Sequence, residues 1–392
     1  MRKALAGAAV LIALAVGYLL LWPTPIAPVA WRAPVDAGYV GAFAANDRLK
    51  ALQHLALDGD EGPEHVVVRD EDGQTWVYLA LHSGHIVRMH PDGAAREVVV
   101  RTGGRPLGFD FDADGALIIA DPMWGAHGGL LRATGRGDAA KIEVLADSVD
   151  APAQGDAIRY ADAVVVAGDG RIYFTDASRR FAPKDWGGTF PASVLDSIEH
   201  SSTGRLLEFD PQTRRVRVLL ADLCFANGLA LAADEQHVFV AETCEYRIWK
   251  VARGASDVSA RAAAAAADPA AMPVLVNLPG FPDNLMRGRD GRLWAGLVKP
   301  RGRFIDDNAG RPWLRAVALR LPKSLWPVPP SYGHVFAFDE SGRVVADLQD
   351  PGGAYPGTTA VTETADRLYV QSLQAHTLGW LPAAALPQPA GR

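Results

Sequence analysis

Six stretches of this chain repeat one pattern, and that pattern leaves few folds open. Each runs from a polar-tipped opening into an alternating apolar strand, a turn built on Asp-Gly or its equivalent, and further apolar strands ending in a charged turn. They are "GPEHVVVRDEDGQTWVYLALHSGHIVRMHPDG", "GRPLGFDFDADGALIIADPM", "RYADAVVVAGDGRIYFTDAS", "CFANGLALAADEQHVFVAETCEYRIWKV", "GFPDNLMRGRDGRLWAGLV" and "GTTAVTETADRLYVQSLQAHTLGWL". Period-2 alternation across Asp-Gly turns specifies hairpins. Units recurring at roughly 45 to 75 residues match propeller blades of four strands each. Few segments supply the amphipathic helices an α/β fold needs, and a β-sandwich would show no such repeat. The expectation is an all-β chain: a six-bladed β-propeller with an N-terminal transmembrane helix.

That helix is read from "ALAGAAVLIALAVGYLLLW", an uncharged run after Arg2 and Lys3. It is long enough to cross a bilayer, and the two basic residues would stay on the cytoplasmic side. A cleaved signal peptide is the rival, but the prolines around "IAPVAW" spoil a small-x-small cleavage site. Either way the propeller is expected on the exported, periplasmic or extracytoplasmic side. The expected division is 1–22 anchor, 23–45 Pro-rich spacer holding the folded unit off the membrane, 46–385 propeller and 386–392 tail. A net charge of −6 gives no basic footprint for nucleic acid.

Two long insertions interrupt the repeat, Ser178–Gly204 and Lys299–Pro330, and long loops in compact domains often act as lids. Within them Trp186, Phe190 and Trp313 are candidates to line an apolar mouth. The stretch "WLRAVALRLPKSLW" reads as a short basic amphipathic helix, either packed over the propeller mouth or lying on a membrane surface. The Ala-rich run near Ala260 reads as a surface excursion. The two cysteines, Cys224 and Cys244, flank a hairpin in an exported chain and are expected to form a disulfide; a pair of free buried thiols is the alternative.

The openings of the units carry the chemistry: "GPEH", "YADA", "FANG" and "FPDN". In a propeller the innermost strand of every blade begins beside the central channel, so Glu64, Asp162, Asn227 and Asp283, with Asn284 next door, would converge. Converging carboxylates repel unless a cation neutralises them. Hard oxygen donors without thiolates suit Ca²⁺. Taken singly each residue reads equally as turn chemistry, Asn227-Gly228 and Asp283-Asn284 above all.

The stretches "GPEHVV", "GRPLGF", "GRIYFTDAS", "TGRLLEFDPQT", "VLLADLCFANGLAL", "VFVAET", "YRIWK" and "LPGFPDNL" resemble the strictosidine synthase-like family, in particular its adipocyte plasma membrane-associated branch, from about Gly62 to Leu381. The resemblance implies a six-bladed propeller related to gluconolactonases and paraoxonases, calcium-dependent hydrolases whose ligand positions match Glu64, Asp162, Asn227 and Asp283; many relatives carry Asn at the position of Asp162. The glutamate of the plant synthases falls at Thr359, and Glu363 does not match it, which argues against Pictet–Spengler condensation. The implied activity is calcium-dependent hydrolysis of a small lactone or aryl ester, with Asp283 as base or nucleophile or with His65, His82 or His127 activating water. A membrane-anchored, non-catalytic binding or scaffold propeller with a structural calcium ion is the alternative. No GxSxG, HExxH or phosphate-loop motif offers another scheme.

Overall fold

Alternating apolar residues in each unit bury one side of a strand against the neighbouring blade, and the chain accordingly arranges itself as six blades around an axis. The computed structural model describes residues 1–150 and 156–386; the expected tail beyond Leu386 lies outside them. The blades' innermost strands are His65–Glu71, Gly108–Phe111, Ala161–Val166, Ala226–Leu231, Gly280–Arg287 and Thr358–Glu363, each leading a sheet of four antiparallel strands, to which blade 3 adds the short parallel strand Val258–Ser259. Blade 6 takes its outermost strand from the other end of the chain: Gln53–Ala56 pairs with Thr377–Pro382 and closes the ring. Fully buried aliphatic and aromatic side chains such as Phe109, Ile119 and Leu131 fill the space between blades, each contributing about 1.5–3 kcal/mol.

The acid that ends the second strand of blades 2, 3 and 4 has a structural cause. Asp121 Oδ1 accepts the backbone N–H of Arg105 at 2.8 Å, Asp176 Oδ1 that of Tyr160 at 2.8 Å, and Glu242 Oε1 that of Cys224 at 2.9 Å. All three carboxylates are buried. Each therefore braces the segment that delivers its own blade's innermost strand to the axis, satisfying a donor that burial would otherwise leave unpaired.

Asp162-Ala163, Asn227-Gly228, Asp283-Asn284 and Thr359-Ala360 do not lie in turns. Each pair sits inside an innermost strand, where the register to the second strand slips between Ala161 and Val164, Ala226 and Leu229, Pro282 and Leu285, and Thr358 and Val361. The slip is a bulge, which re-aims side chains and recurs beside functional sites. Close packing of these bulges around the axis demands glycine. A Cβ on Gly228 would stand 2.3 Å from Asn284 Cα, and one on Gly108 would stand 2.8 Å from Ala163 Cα. Gly228→Ala is therefore expected to destabilise the propeller by about 3 kcal/mol or more, at the upper end of overpacking effects. Urea unfolding of the variant checks this; an unchanged midpoint would show that the blades are free to move apart.

The apolar helix Arg2–Leu21 is long and apolar enough to cross a membrane and packs nothing against the propeller core. The Pro-rich segment after it does not stand free as a spacer. Its backbone is tied down: Val29 N–H donates to Glu199 O at 2.8 Å, Trp31 N–H to Ala309 O at 3.1 Å, and Arg301 reaches Pro34 O at 2.6 Å. The Ser178–Gly204 insertion forms the helix Thr189–Glu199, and the Lys299–Pro330 insertion forms Arg303–Asp307 and Pro312–Leu319. Arg315, in the middle of the basic stretch, is wholly buried and donates to the carbonyls of Ile198 and Val29. That helix thus packs over the mouth, held by its arginine. The Ala-rich run forms the helix Ala260–Ala266, with Ala260 and Ala263 buried in a core shared by blades 3 and 4.

Candidate functional site

The bulges of blades 3, 4 and 5, with the segment leading into blade 1, bring together Asp162, Asn227, Asp283 and Glu64. Glu64, Asp162, Asn227 and Asp283 are each about 95% buried and line one cavity of about 250 Å³. Burial, then the charges of Glu64 and Asp283, holds the Asp162 carboxyl well above the usual carboxylate range; burial, then Glu64, does the same to Asp283. Glu64 is also pushed up by burial, against the opposing pull of Arg105. Asn227 presents a buried Oδ1 with no partner among the described residues.

Arg105 is the residue that sequence reasoning missed. Its Nη2 donates to Glu64 Oε2 at 2.7 Å, both side chains being about 95% buried, and its Nε and Nη1 have no partner among the described residues. Three ionised carboxylates and one guanidinium sum to −2, the charge a divalent cation cancels. The donor set therefore fits a hard divalent ion: carboxylates, an orphaned amide oxygen and no sulfur. The extra carboxylate at Asp162 is matched by the positive charge of Arg105.

The remaining candidates divide. Asn284 faces away from the cavity; its Nδ2 donates to the Glu64 carbonyl at 3.0 Å and ties blade 5 to blade 1. Thr359 stands at the equivalent bulge of blade 6 and its hydroxyl donates to the same carbonyl at 2.9 Å. Glu363 lies at the far end of that strand, bonded to Arg292 and Trp294. His65 is buried between blades 1 and 2, edge-on to Phe109, and burial holds its pKa down at about 4, so it is neutral and outside the cavity. His127 is exposed in a loop away from it. The histidine that does line the cavity is His82, half-exposed and 3.6 Å from Glu61.

A second cavity, of about 130 Å³, shares Phe225, Asn227, Asp283 and Phe190 with the first and continues it under the two lid insertions. Its walls are mostly apolar: Ile198, Phe281, Val298, Ile305, Leu319 and Trp326. Of the three expected mouth aromatics only Phe190 lines it. Trp186 packs on Phe181, and Trp313 is 59% exposed on the outer face of its helix. Arg320, just beyond that helix, donates to the carbonyls of Trp22 and Leu19, so the apolar chamber lies beside the foot of the membrane-length helix. Cys224 and Cys244 are buried and adjacent, but both are free thiols; the expected disulfide is not formed.

The strictosidine synthase profile matches residues 162–253, and the strictosidine synthase-like N-terminal profile matches 41–89. Strictosidine synthase-like 7 of Arabidopsis thaliana is 33% identical over 298 residues, 75% of this chain and 70% of that protein. The human adipocyte plasma membrane-associated protein is 29% identical over 363 residues, 86% of this chain and 79% of that protein. Among solved structures, a gluconolactonase from Xanthomonas campestris superposes with a TM-score of 0.54 at 19% identity, over 93% of this chain and 99% of that one. Regucalcin, a calcium-binding protein from Agrobacterium tumefaciens, does so with a TM-score of 0.50 at 13% identity, over 84% and 93%. At these identities the structural likeness establishes the fold.

Proposed function

This chain belongs to the strictosidine synthase-like family, and from that premise we propose that it is a calcium-dependent hydrolase of apolar lactones or aryl esters, anchored in a membrane with the propeller on the exported side. The observation that carries the reading is the continuity of two unlike spaces: a charged cavity walled by Glu64, Asp162, Asn227 and Asp283, and an apolar chamber meeting it at Asn227 and Asp283. Those four residues would hold the ion. When bound, it supplies Lewis-acid polarisation of a carbonyl oxygen.

The chain's own groups account for the rest. The Ile198, Phe281 and Trp326 walls bind the apolar part of the ester and shed its water, which orients the carbonyl toward Asp283. Arg105 offers two unpaired N–H donors to an oxygen that gains negative charge. Asp283 is the candidate base or nucleophile, and His82 is placed to take a proton at the polar rim. A sealed structural ion is the weaker reading, because the carboxylates line open space. Thr359, at the synthase glutamate position, has no acid to offer a condensation. The test is bound calcium by elemental analysis of the full-length protein, followed by hydrolysis of phenyl acetate and a lactone panel before and after chelation. Calcium with turnover that chelation abolishes supports the reading, whereas stoichiometric calcium without turnover of any member speaks for the scaffold.

A pH dependence follows from the same carboxyls. Without metal, Glu64, Asp162 and Asp283 titrate higher in the folded chain than unfolded, where carboxyls titrate near about 4. The native state then holds more protons, so their contribution to stability is complete below the unfolded value and is lost as pH rises through the folded values. The calcium-free protein is expected to lose thermal stability progressively as pH rises above the unfolded carboxyl value of about 4. Saturating calcium restores it by about 4 kcal/mol at a thousand times its Kd. Scanning calorimetry with and without chelator checks this; a gap that fails to widen with pH contradicts it.

A further inference from the structure

Blade 4 and the lid helix Thr189–Glu199 meet at a cluster that the hydrolytic reading does not use. Cys224 precedes the innermost strand and Cys244 follows the second, with Cys244 N–H donating to Cys224 O at 3.2 Å. His200 ends the lid helix in the left-handed region, φ 60°, a conformation usually left to glycine. The two Sγ atoms and a ring nitrogen of His200 all lie within 4.8 Å of one another, and each residue is at least 98% buried. His200 Nε2 is 2.8 Å from Glu245 Oε1, and Trp31 stacks on the ring at 3.9 Å. The other ring nitrogen, Nδ1, is buried with no partner among the described residues. An imidazole that is oriented by a carboxylate on one nitrogen and left free on the other, with two thiols beside the ring, has the arrangement of a metal-ligating histidine.

We propose that Cys224, Cys244 and His200 form a second metal site, selective for a thiophilic d¹⁰ cation, Zn²⁺ or Cu⁺, and separate from the oxygen-lined cavity. Two soft sulfurs and one imidazole discriminate against Ca²⁺ and Mg²⁺ as strongly as the first site's oxygens favour them. Ligation at about 2.0–2.3 Å from one ion requires the three ligand atoms, now within 4.8 Å of one another, to draw together. Ser197 Oγ, 3.6 Å from Cys244 Sγ, stands where Zn²⁺ would draw a fourth donor, whereas Cu⁺ is satisfied by three. Binding releases the two thiol protons to solvent as the metal–sulfur bonds form. The cation would pin the end of the lid helix to the strand that carries Asn227, three residues beyond Cys224.

The test uses full-length protein, reduced and stripped of metal, titrated separately with Zn²⁺, Cu⁺ and the spectroscopic probe Cd²⁺. The expected result is one Cd²⁺ per chain with a thiolate-to-metal ultraviolet band, displaced by Zn²⁺ or Cu⁺ but not by Ca²⁺. That band is lost in Cys224→Ser and retained in Asp283→Asn. Glu245→Gln, which leaves all three ligands, is expected to weaken binding about 10- to 100-fold. Stronger displacement by Cu⁺ than by Zn²⁺ identifies the three-coordinate site, and the reverse identifies the four-coordinate one. Absence of the band in folded, fully reduced protein overturns the proposal, as does a band that survives Cys224→Ser. Binding only to unfolded chain, shown by a fall rather than a rise in melting temperature on adding the metal, also overturns it.

Discussion

Asp283→Asn is expected to lower hydrolysis by about a hundred- to a thousand-fold, the usual effect of removing one preorganised electrostatic group, and to abolish calcium retention while leaving the propeller folded. The substitution is nearly isosteric, so the blade 5 bulge keeps its shape. It takes the site's charge from −2 to −1, which a divalent ion no longer cancels. It also relieves the repulsion from Glu64 that helps to raise the Asp283 pKa. The metal-free variant should therefore be at least as stable as the metal-free parent, the difference growing as pH rises. Elemental analysis, ester turnover and urea unfolding on the same preparation separate these effects. Calcium retained at one per chain with an unchanged rate would remove Asp283 from the site.

The second large effect concerns Arg105. Replacing it with Met removes the only charge that pairs with Glu64 among the described residues and leaves a buried carboxylate facing Asp162 and Asp283. Breaking a buried pair from one side costs about 3–5 kcal/mol. In this site the cost depends on the metal. The calcium-free Arg105→Met protein should show the full loss, and saturating calcium, itself a partner for Glu64, should recover much of it. Unfolding in urea with calcium and with chelator measures both states. Equal losses in the two states would mean that Glu64 does not face the ion.

The fold was legible because hairpins joined by Asp-Gly turns repeat along the chain. Ring closure was not. "QHLA" at Gln53–Ala56 is too short to show a period, and its partner strand lies at the opposite end of the chain. The converging oxygens were legible from their equivalent places in the repeat, yet Asn227-Gly228 and Asp283-Asn284 read as turns, because a two-residue bulge uses the same small polar residues. His65 stands next to Glu64 in sequence, yet its ring points between blades onto Phe109 while Glu64 lines the cavity. Arg105 in "GRPLGF" gives no local sign of its role, which comes from carboxylates delivered by other blades. His200 was equally silent, standing alone in sequence and acquiring its cysteines only through the fold.

Closure by Gln53–Ala56 has a consequence for how the chain is made. The strand is synthesised soon after the membrane-length helix, but its partner Thr377–Pro382 only after the first five blades. Five blades can form with only neighbours for company; the sixth needs both ends. Because contacts between distant segments form slowly, the early strand must wait, unpaired, until those blades are complete. Premature termination before Thr377 would leave an open ring with two sticky edges, the kind of surface that a quality-control protease or chaperone recognises.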